Sequence, residues 1–375
     1  MRRSRSRWSV GPLWVCLSRR LSRGVGNPKR KGGEQAREHG STSLTVGPVG
    51  VIAMVGLLFL GAITDATPSR RPQRSDCAER VFRKVRYRAA SRHNVLDLYL
   101  PKGAAEEPPA LIVWLHAGGW AGGSRASVRL WALRQVCRGY AVAAVDYRLS
   151  EEAVFPAQVR DVRAAIRFLR LNQTAYHIDT SRIVVWGASA GGHLASLLGT
   201  TAGGEEFASP GEDPDISSRV SAVIDWWGPT DFTRMDLQFP AVCKRTKCHT
   251  CPGSAESRLL GCAVRACPER ARRASPQSYA SADDAPMLIQ HGAHDCTVPY
   301  RQGLLLHDAL DAVGVPVEFQ LVPRARHGDG RWSAPEVMSA VDAFLDLHLT
   351  SRDPTTQRDV ELPTGAPSRL APRVR

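Results

Sequence analysis

The ten residues Ile183-Val184-Val185-Trp186-Gly187-Ala188-Ser189-Ala190-Gly191-Gly192 decide the fold. Ile183 to Trp186 is a short, continuously apolar run, the pattern of a strand buried on both faces of a sheet. Gly187 to Gly191 is a G-x-S-x-G pattern, and a helical stretch, Ala190–Thr200, follows it directly. A serine on a sharp strand-to-helix turn is lifted above the sheet edge in a strained backbone conformation. Small residues must flank it, because strand and helix approach closely there. The pattern alone arises by chance in many chains and can be a plain glycine-rich turn. Its position between strand and helix makes Ser189 a candidate nucleophile.

Further apolar runs recur at Leu111–Leu115, Ala141–Val145, Ala222–Trp226, Met287–Gln290 and Val317–Val322. Helical stretches at Arg125–Arg138, Pro156–Asn172, Arg301–Val313 and Pro335–Leu349 separate several of them. In the second, Pro156 stands at the start and Val159, Val162, Ile166 and Leu169 mark one apolar face. Alternating strands and helices predict a mostly parallel central sheet with helices on both faces. Ahead of it, Val81–Tyr87 and Val95–Leu100 alternate apolar and polar residues around Ser91-Arg92-His93-Asn94, which predicts an antiparallel hairpin. Residues 204–218 and 236–274 interrupt the alternation and read as insertions over the sheet's C-terminal edge.

Three more segments carry chemistry. Leu115-His116-Ala117-Gly118-Gly119-Trp120 follows a strand, and its glycines let backbone N–H groups approach an oxyanion; the Ala190 amide, at a helix start, would be another donor. His116 itself reads as a hydrogen-bonding anchor. Met287 to Gln290 runs into a loop ending at Asp295, and Val317–Val322 into a loop carrying His327. A serine hydroxyl is a poor nucleophile near neutral pH, so a base must take its proton and later return it. His327 is expected to be that base, and Asp295 the acid fixing its tautomer. His193, His307 and His348 lie in helical stretches and read as packing or surface residues. Asp231, after the preceding strand, is the rival acid; Asp283 and Asp284 precede their strand and stand at the wrong end. Trp120, Trp226 and Trp227 sit at strand ends. Trp120 and Trp227 are expected to contact substrate, the plainer reading being apolar packing.

The 375 residues carry a formal charge of +14, concentrated at one end. Eleven Lys and Arg against two Glu give residues 1–48 a charge of +9, leaving +5 for the rest. Beyond that basic extension no aromatic-interleaved basic stripe occurs, so no nucleic-acid partner is expected. Val49–Ile63 is an uncharged apolar run, shorter than the ~20 residues of a membrane-spanning helix. Residues 49–66 read as an export signal cut after Ala66, with an uncleaved membrane anchor or a buried helix as alternatives. Residues 67–80 read as a polar linker, 81–350 as the catalytic domain and 351–375 as a disordered tail. Of nine cysteines, Cys16 precedes the apolar run. The remaining even set, Cys77, Cys137, Cys243, Cys248, Cys251, Cys262, Cys267 and Cys296, fits disulfides in an oxidising compartment. Zinc on the Cys248–Cys267 stretch with His249 nearby, or free thiols, are the other readings.

Together these segments resemble the α/β-hydrolase esterases of the hormone-sensitive-lipase-like and feruloyl/acetyl-xylan-esterase-like (BD-FAE) group. The resemblance runs from about Phe82 to Leu349. It rests on the oxyanion loop, Asp146-Tyr147-Arg148-Leu149, Phe155-Pro156-Ala157, the G-x-S-x-G turn, Trp227-Gly228-Pro229-Thr230-Asp231, Ser275-Pro276, and the acid and histidine loops. It implies an α/β-hydrolase fold with Ser189, Asp295 and His327 as triad and Gly118, Gly119 and Ala190 as oxyanion donors, without a metal or cofactor. The expected reaction is hydrolysis of short-chain or aromatic acyl esters, small or polysaccharide-linked, through an acyl-serine. Where the group commonly has H-G-G-G, this chain has Ala117 at the first glycine. The cysteine-rich stretch Cys243–Cys267 is the larger departure, and falls where such enzymes shape their pocket. A prolyl-oligopeptidase-like peptidase is the competing enzyme, although residues 1–80 cannot build its second domain. A catalytically inactive binding protein on the same fold is the reading from another class.

Overall fold

The computed structural model describes residues 77–103, 107–128, 130–201, 204, 206–208, 215–244 and 246–350. The expectations for residues 1–48, 49–66 and 351–375, and for the linker up to residue 76, lie outside them. Eight strands form one sheet: β1 (Ala78–Arg86), β2 (Val95–Pro101), β3 (Ala110–Leu115), β4 (Ala141–Val145), β5 (Asp179–Ala188), β6 (Ala222–Trp226), β7 (Met287–Gly292) and β8 (Val317–Val322). Their spatial order is β1-β2-β4-β3-β5-β6-β7-β8. β1 and β2 pair antiparallel, as does β2 with β4; β4-β3-β5-β6-β7-β8 are parallel throughout. β1 starts at Ala78, paired with Pro101, so the linker read as 67–80 already belongs to the sheet at its end.

The helices are α1 (Leu130–Arg134), α2 (Ala157–Leu171), α3 (Gln173–Tyr176), α4 (Ala190–Thr201), α5 (Ala255–Leu260), α6 (Pro268–Arg273), α7 (Arg301–Asp311) and α8 (Pro335–Thr350). The continuous apolar strands are explained by the two cores they feed. Successive side chains of a strand point to opposite faces. Leu111, Val113 and Leu115 therefore pack with α2, α4 and α7 on one face, while Ile112 and Trp114 pack with α1 and α8 on the other. The helix expected over Arg125–Arg138 is broken into a turn at Arg125–Ser127, the short α1 and a tight turn at Gln135–Arg138. Tertiary bonds override helix propensity here. The Arg125 amide and guanidinium are both clasped by Asp146, its Nε bonds Asp97 Oδ1 at 2.9 Å, and Cys137 is tied to Cys77.

The loops that matter for function all leave the carboxyl ends of parallel strands, the rim where open α/β sheets bind ligands. The segment between β6 and β7 carries α5, α6 and the disulfides Cys248–Cys251 and Cys262–Cys267, and a third, Cys243–Cys296, ties it to the loop after β7. With Cys77–Cys137 these use all eight cysteines after Cys16, so no thiolate in the stretch remains to bind zinc. Among the described residues no group of His, Cys, Asp and Glu is arranged to hold a metal, and no helix is long and apolar enough to cross a membrane.

Candidate active site

Ser189 stands between the end of β5 and the start of α4 with φ +54°, the left-handed conformation expected of a residue forced round that turn. The surrounding glycines are steric necessities. A Cβ at Gly187 would run into the Gly191 carbonyl, and one at Gly191 into the Leu115 carbonyl, so strand and helix could not meet. The Ser189 amide donates to the Trp226 carbonyl at 2.8 Å, which ties the turn to β6.

His327 comes from the loop after β8, and its Nε2 lies 2.9 Å from Ser189 Oγ. Its Nδ1 lies 2.7 Å from Asp295 Oδ2. A carboxylate can only accept, so Nδ1 carries the proton and Nε2 is left to accept from the serine. Asp295 is fully buried and its other oxygen is also used: Oδ1 accepts the amides of Thr297 at 2.8 Å and Val298 at 2.9 Å. Burial works to raise the Asp295 carboxyl. Hydrogen bonds from His291 and His327, with their attraction, outweigh it and hold the group well below the usual carboxylate range. The acid and histidine loops are themselves joined by bonds from the Ala293 amide to Val322 and the His294 amide to Ala325, both 3.0 Å.

Gly118 (φ +134°) and Gly119 (φ +57°) lie beside Ser189 on the wall of one cavity of about 510 Å³, with Ala190 and His327. A Cβ at Gly118 would overlap the Gly122 carbonyl. The amides of Gly118, Gly119 and Ala190 find no acceptor among the described residues. Gly118 is exposed, Gly119 half-buried and Ala190 buried, and backbone amides left free beside one serine are the kind of donor that can face an oxyanion. His116 anchors this loop: it stacks on Tyr147 at 4.3 Å, and the Tyr147 hydroxyl donates to its carbonyl at 2.8 Å.

The expected contact residues divide. Trp120 lies on the cavity wall, its ring edge-on to His193 at 5.0 Å. Trp227 does not line that cavity. With φ +46° it turns behind the histidine loop, packing on Trp332 at 3.9 Å and edge-on to His327 at 6.0 Å, so it supports the base. Trp226 is likewise buried, among Trp114, Trp186 and Trp131. Asp231 is occupied in a local turn, accepting from Thr233, and is not paired with His327. His193 is buried, its Nε2 bonded to the Ala274 carbonyl at 2.6 Å, and burial pushes it down to about 4.

Other residues of the site gave no signal in the sequence. His291 lies within β7, bonds the Val298 carbonyl at 2.9 Å and reaches Asp295 Oδ2 at 3.6 Å. Asp225, at the end of β6, accepts the Gly228 amide at 2.9 Å and the Ser196 hydroxyl at 3.0 Å. Burial raises it to about 6 against the opposing pull of His291 and those two bonds. The Cys243–Cys296 disulfide pins the insertion to the residue after Asp295, a pairing invisible to spacing alone.

With this geometry in hand, the BD-FAE family profile matches residues 96–310. The chain belongs to the BD-FAE family. Its α/β-hydrolase fold is shared with a solved carbohydrate esterase from gut microbiota, in truncated form, at TM-score 0.65 and 29% identity over 74% of this chain and 98% of that one. Propionate-bound esterase 2 of Thermogutta terrifontis gives a TM-score of 0.57 at 27% identity, over 76% of this chain and 100% of that one. Among curated proteins, esterase LipC of Mycobacterium tuberculosis is 30% identical over 265 residues, 69% of this chain and 63% of that protein. The chain spans about half to two thirds of the length of the curated relatives it matches.

Proposed function

We propose that the chain is a serine carboxylesterase hydrolysing short-chain or aromatic acyl esters through an acyl-serine intermediate. The arrangement that supports this reading is the line from Asp295 Oδ2 to His327 Nδ1 at 2.7 Å and from His327 Nε2 to Ser189 Oγ at 2.9 Å. Ser189 Oγ attacks the ester carbonyl carbon as its proton passes to His327 Nε2, and the carbonyl oxygen becomes an oxyanion facing the Gly118, Gly119 and Ala190 amides. His327 gives the proton to the departing alkoxide oxygen as the carbon–oxygen bond breaks, leaving the acyl group on Ser189. Water then attacks the acyl carbon, its proton taken by His327. Collapse of the second oxyanion expels Ser189 Oγ, which takes that proton back, and the carboxylic acid leaves. Asp295 stays ionised throughout, holding the tautomer and stabilising the imidazolium.

Similarity to the propionate-bound esterase supports a short acyl group, and similarity to the carbohydrate esterase supports a carbohydrate as one alcohol beside small ones. Four disulfides support export to an oxidising compartment. The test is a panel of p-nitrophenyl acetate, butyrate and laurate beside methyl ferulate and acetylated xylan. Acetate and butyrate should exceed laurate at least tenfold in kcat/KM. Preference for laurate overturns the short-acyl assignment, and turnover of none of them overturns the esterase.

A further inference from the structure

We infer that the buried His249–Glu256 pair of the cysteine-rich insertion is a hydroxyl-recognition site on the wall of the catalytic cavity, selecting esters that carry a hydroxyl near the scissile bond. The inference rests on the esterase reading and assigns its specificity to two residues of this insertion. Both line the same cavity as Ser189 and the two loop glycines, and they are only 5% and 4% exposed. His249 Nδ1 and Glu256 Oε1 are 2.8 Å apart. The remaining polar atom of each, His249 Nε2 and Glu256 Oε2, is buried and takes no hydrogen bond from the protein.

The pair is held firmly. The His249 and Thr250 amides both donate to Asp236, at 2.7 and 3.1 Å, and the His249 carbonyl accepts from the Ser254 hydroxyl at 2.7 Å. Its ring stacks on Phe239 at 5.7 Å, and the Cys248–Cys251 disulfide closes the loop around it. Glu256 is the second residue of α5, whose first residue, Ala255, abuts Gly119: a Cβ built there would touch the Ala255 methyl at 3.4 Å. The pair therefore sits beside the loop that faces the reacting carbonyl. A buried polar atom without a partner is destabilising, and both residues line the cavity, so the pair marks a place that a ligand completes once a small side-chain shift uncovers the two atoms.

The chemistry of the two atoms selects that ligand. The carboxylate only accepts, so Nδ1 supplies the proton shared with Oε1. Oε2 then needs a donor, while Nε2 accepts when the ring is neutral and donates when it is protonated. A hydroxyl both donates and accepts, and satisfies either state. An alkyl group satisfies neither, and an anionic group meets the Glu256 charge.

Matched esters test this. On the alcohol side 2-hydroxyethyl acetate is compared with propyl acetate, and on the acyl side methyl glycolate with methyl propionate. The quantity read is the ratio of kcat/KM for hydroxylated over deoxy ester, in the native chain and in His249→Phe and Glu256→Gln. In one pair the ratio should fall at least ~10-fold in both variants, and that pair identifies the moiety carrying the hydroxyl. A ratio unchanged within twofold in both pairs overturns the inference. Because either variant can disturb the insertion, Kd is also measured by titrating Ser189→Ala protein with the same esters. Tighter binding of the hydroxylated partner that disappears in Ser189→Ala/His249→Phe supports the site, and equal Kd overturns it. Failure of the native chain to cleave any ester, with that binding preference intact, would sink the esterase and leave the recognition site standing.

Discussion

Replacing Asp295 by asparagine probes the site through one proton. The two backbone amides on Oδ1, from Thr297 at 2.8 Å and Val298 at 2.9 Å, require an acceptor there, so the new side-chain oxygen is pinned toward them. The NH2 group is then forced to the position of Oδ2, facing His327 Nδ1. Two donors cannot share a hydrogen bond, so Nδ1 must become the acceptor and the ring proton moves to Nε2, pointing at Ser189 Oγ. The base is present, in place, and in the wrong tautomer. A triad in that condition loses turnover by about 10,000-fold, equivalent to about 5 kcal/mol of transition-state stabilisation. The assay is kcat for p-nitrophenyl acetate under saturation, with the melting temperature taken alongside to show that the fold is retained. Glutamine at the same position is the control for size, since its longer arm cannot satisfy Thr297 and Val298 together. A folded Asp295→Asn protein keeping more than a tenth of native kcat would refute the reasoning.

Three further outcomes follow from particular contacts. Asp225 is raised from 3.8 to about 6 by burial, so the folded chain holds its proton more tightly than the unfolded chain. Stability from this group is therefore fully present below about pH 4 and lost as pH rises through about 6, on the order of 3 kcal/mol. Asp225→Asn should be more stable than the native chain at pH 8 and lose that advantage toward pH 4 by urea unfolding; parallel pH curves contradict this. Gly118→Ala must leave φ +134° and avoid the Gly122 carbonyl, moving the oxyanion amides, so kcat should fall ~100-fold to 1000-fold; a folded variant with native kcat removes that loop from the mechanism. Replacing Cys243 and Cys296 together by serine opens a cross-link spanning 53 residues, which in the chain-entropy view removes about 4 kcal/mol from chemical unfolding. Because Cys296 adjoins Asp295, kcat should fall as well, and a change in neither quantity contradicts the role given to that bond.

The inner strands β3, β4, β6 and β7 were legible because each is buried on both faces, which writes a continuous apolar run, and the half-buried edge strand β8 also spans the residues its sequence marks. Ser189, Asp295 and His327 were legible because each sits where a strand ends in a loop of small or polar residues. For Trp227 the same signal leaves substrate contact and apolar packing both open, and the structure shows the packing. A strand end and a large ring do not reveal which way a left-handed residue turns, and its φ of +46° sends it behind His327. The Arg125–Arg138 stretch reads as one helix locally, yet Asp97, Asp146 and Cys77, all distant in sequence, determine its path. His291 and the His249–Glu256 pair were illegible for a related reason. A lone histidine in a strand or a cysteine-rich loop looks like many others until the fold brings a carboxylate within 4 Å.

In the proposed mechanism the hydroxyl of residue 189 is the nucleophile, made reactive by the imidazole of residue 327. Reaction with a fluorophosphonate, read as intact mass and then as the modified peptide, tests it most directly. A single adduct on Ser189, absent in Ser189→Ala and formed at least 100-fold more slowly in His327→Ala, is expected. A native chain that takes no label, or takes it on another residue while Ser189→Ala cleaves esters at the native rate, would contradict it.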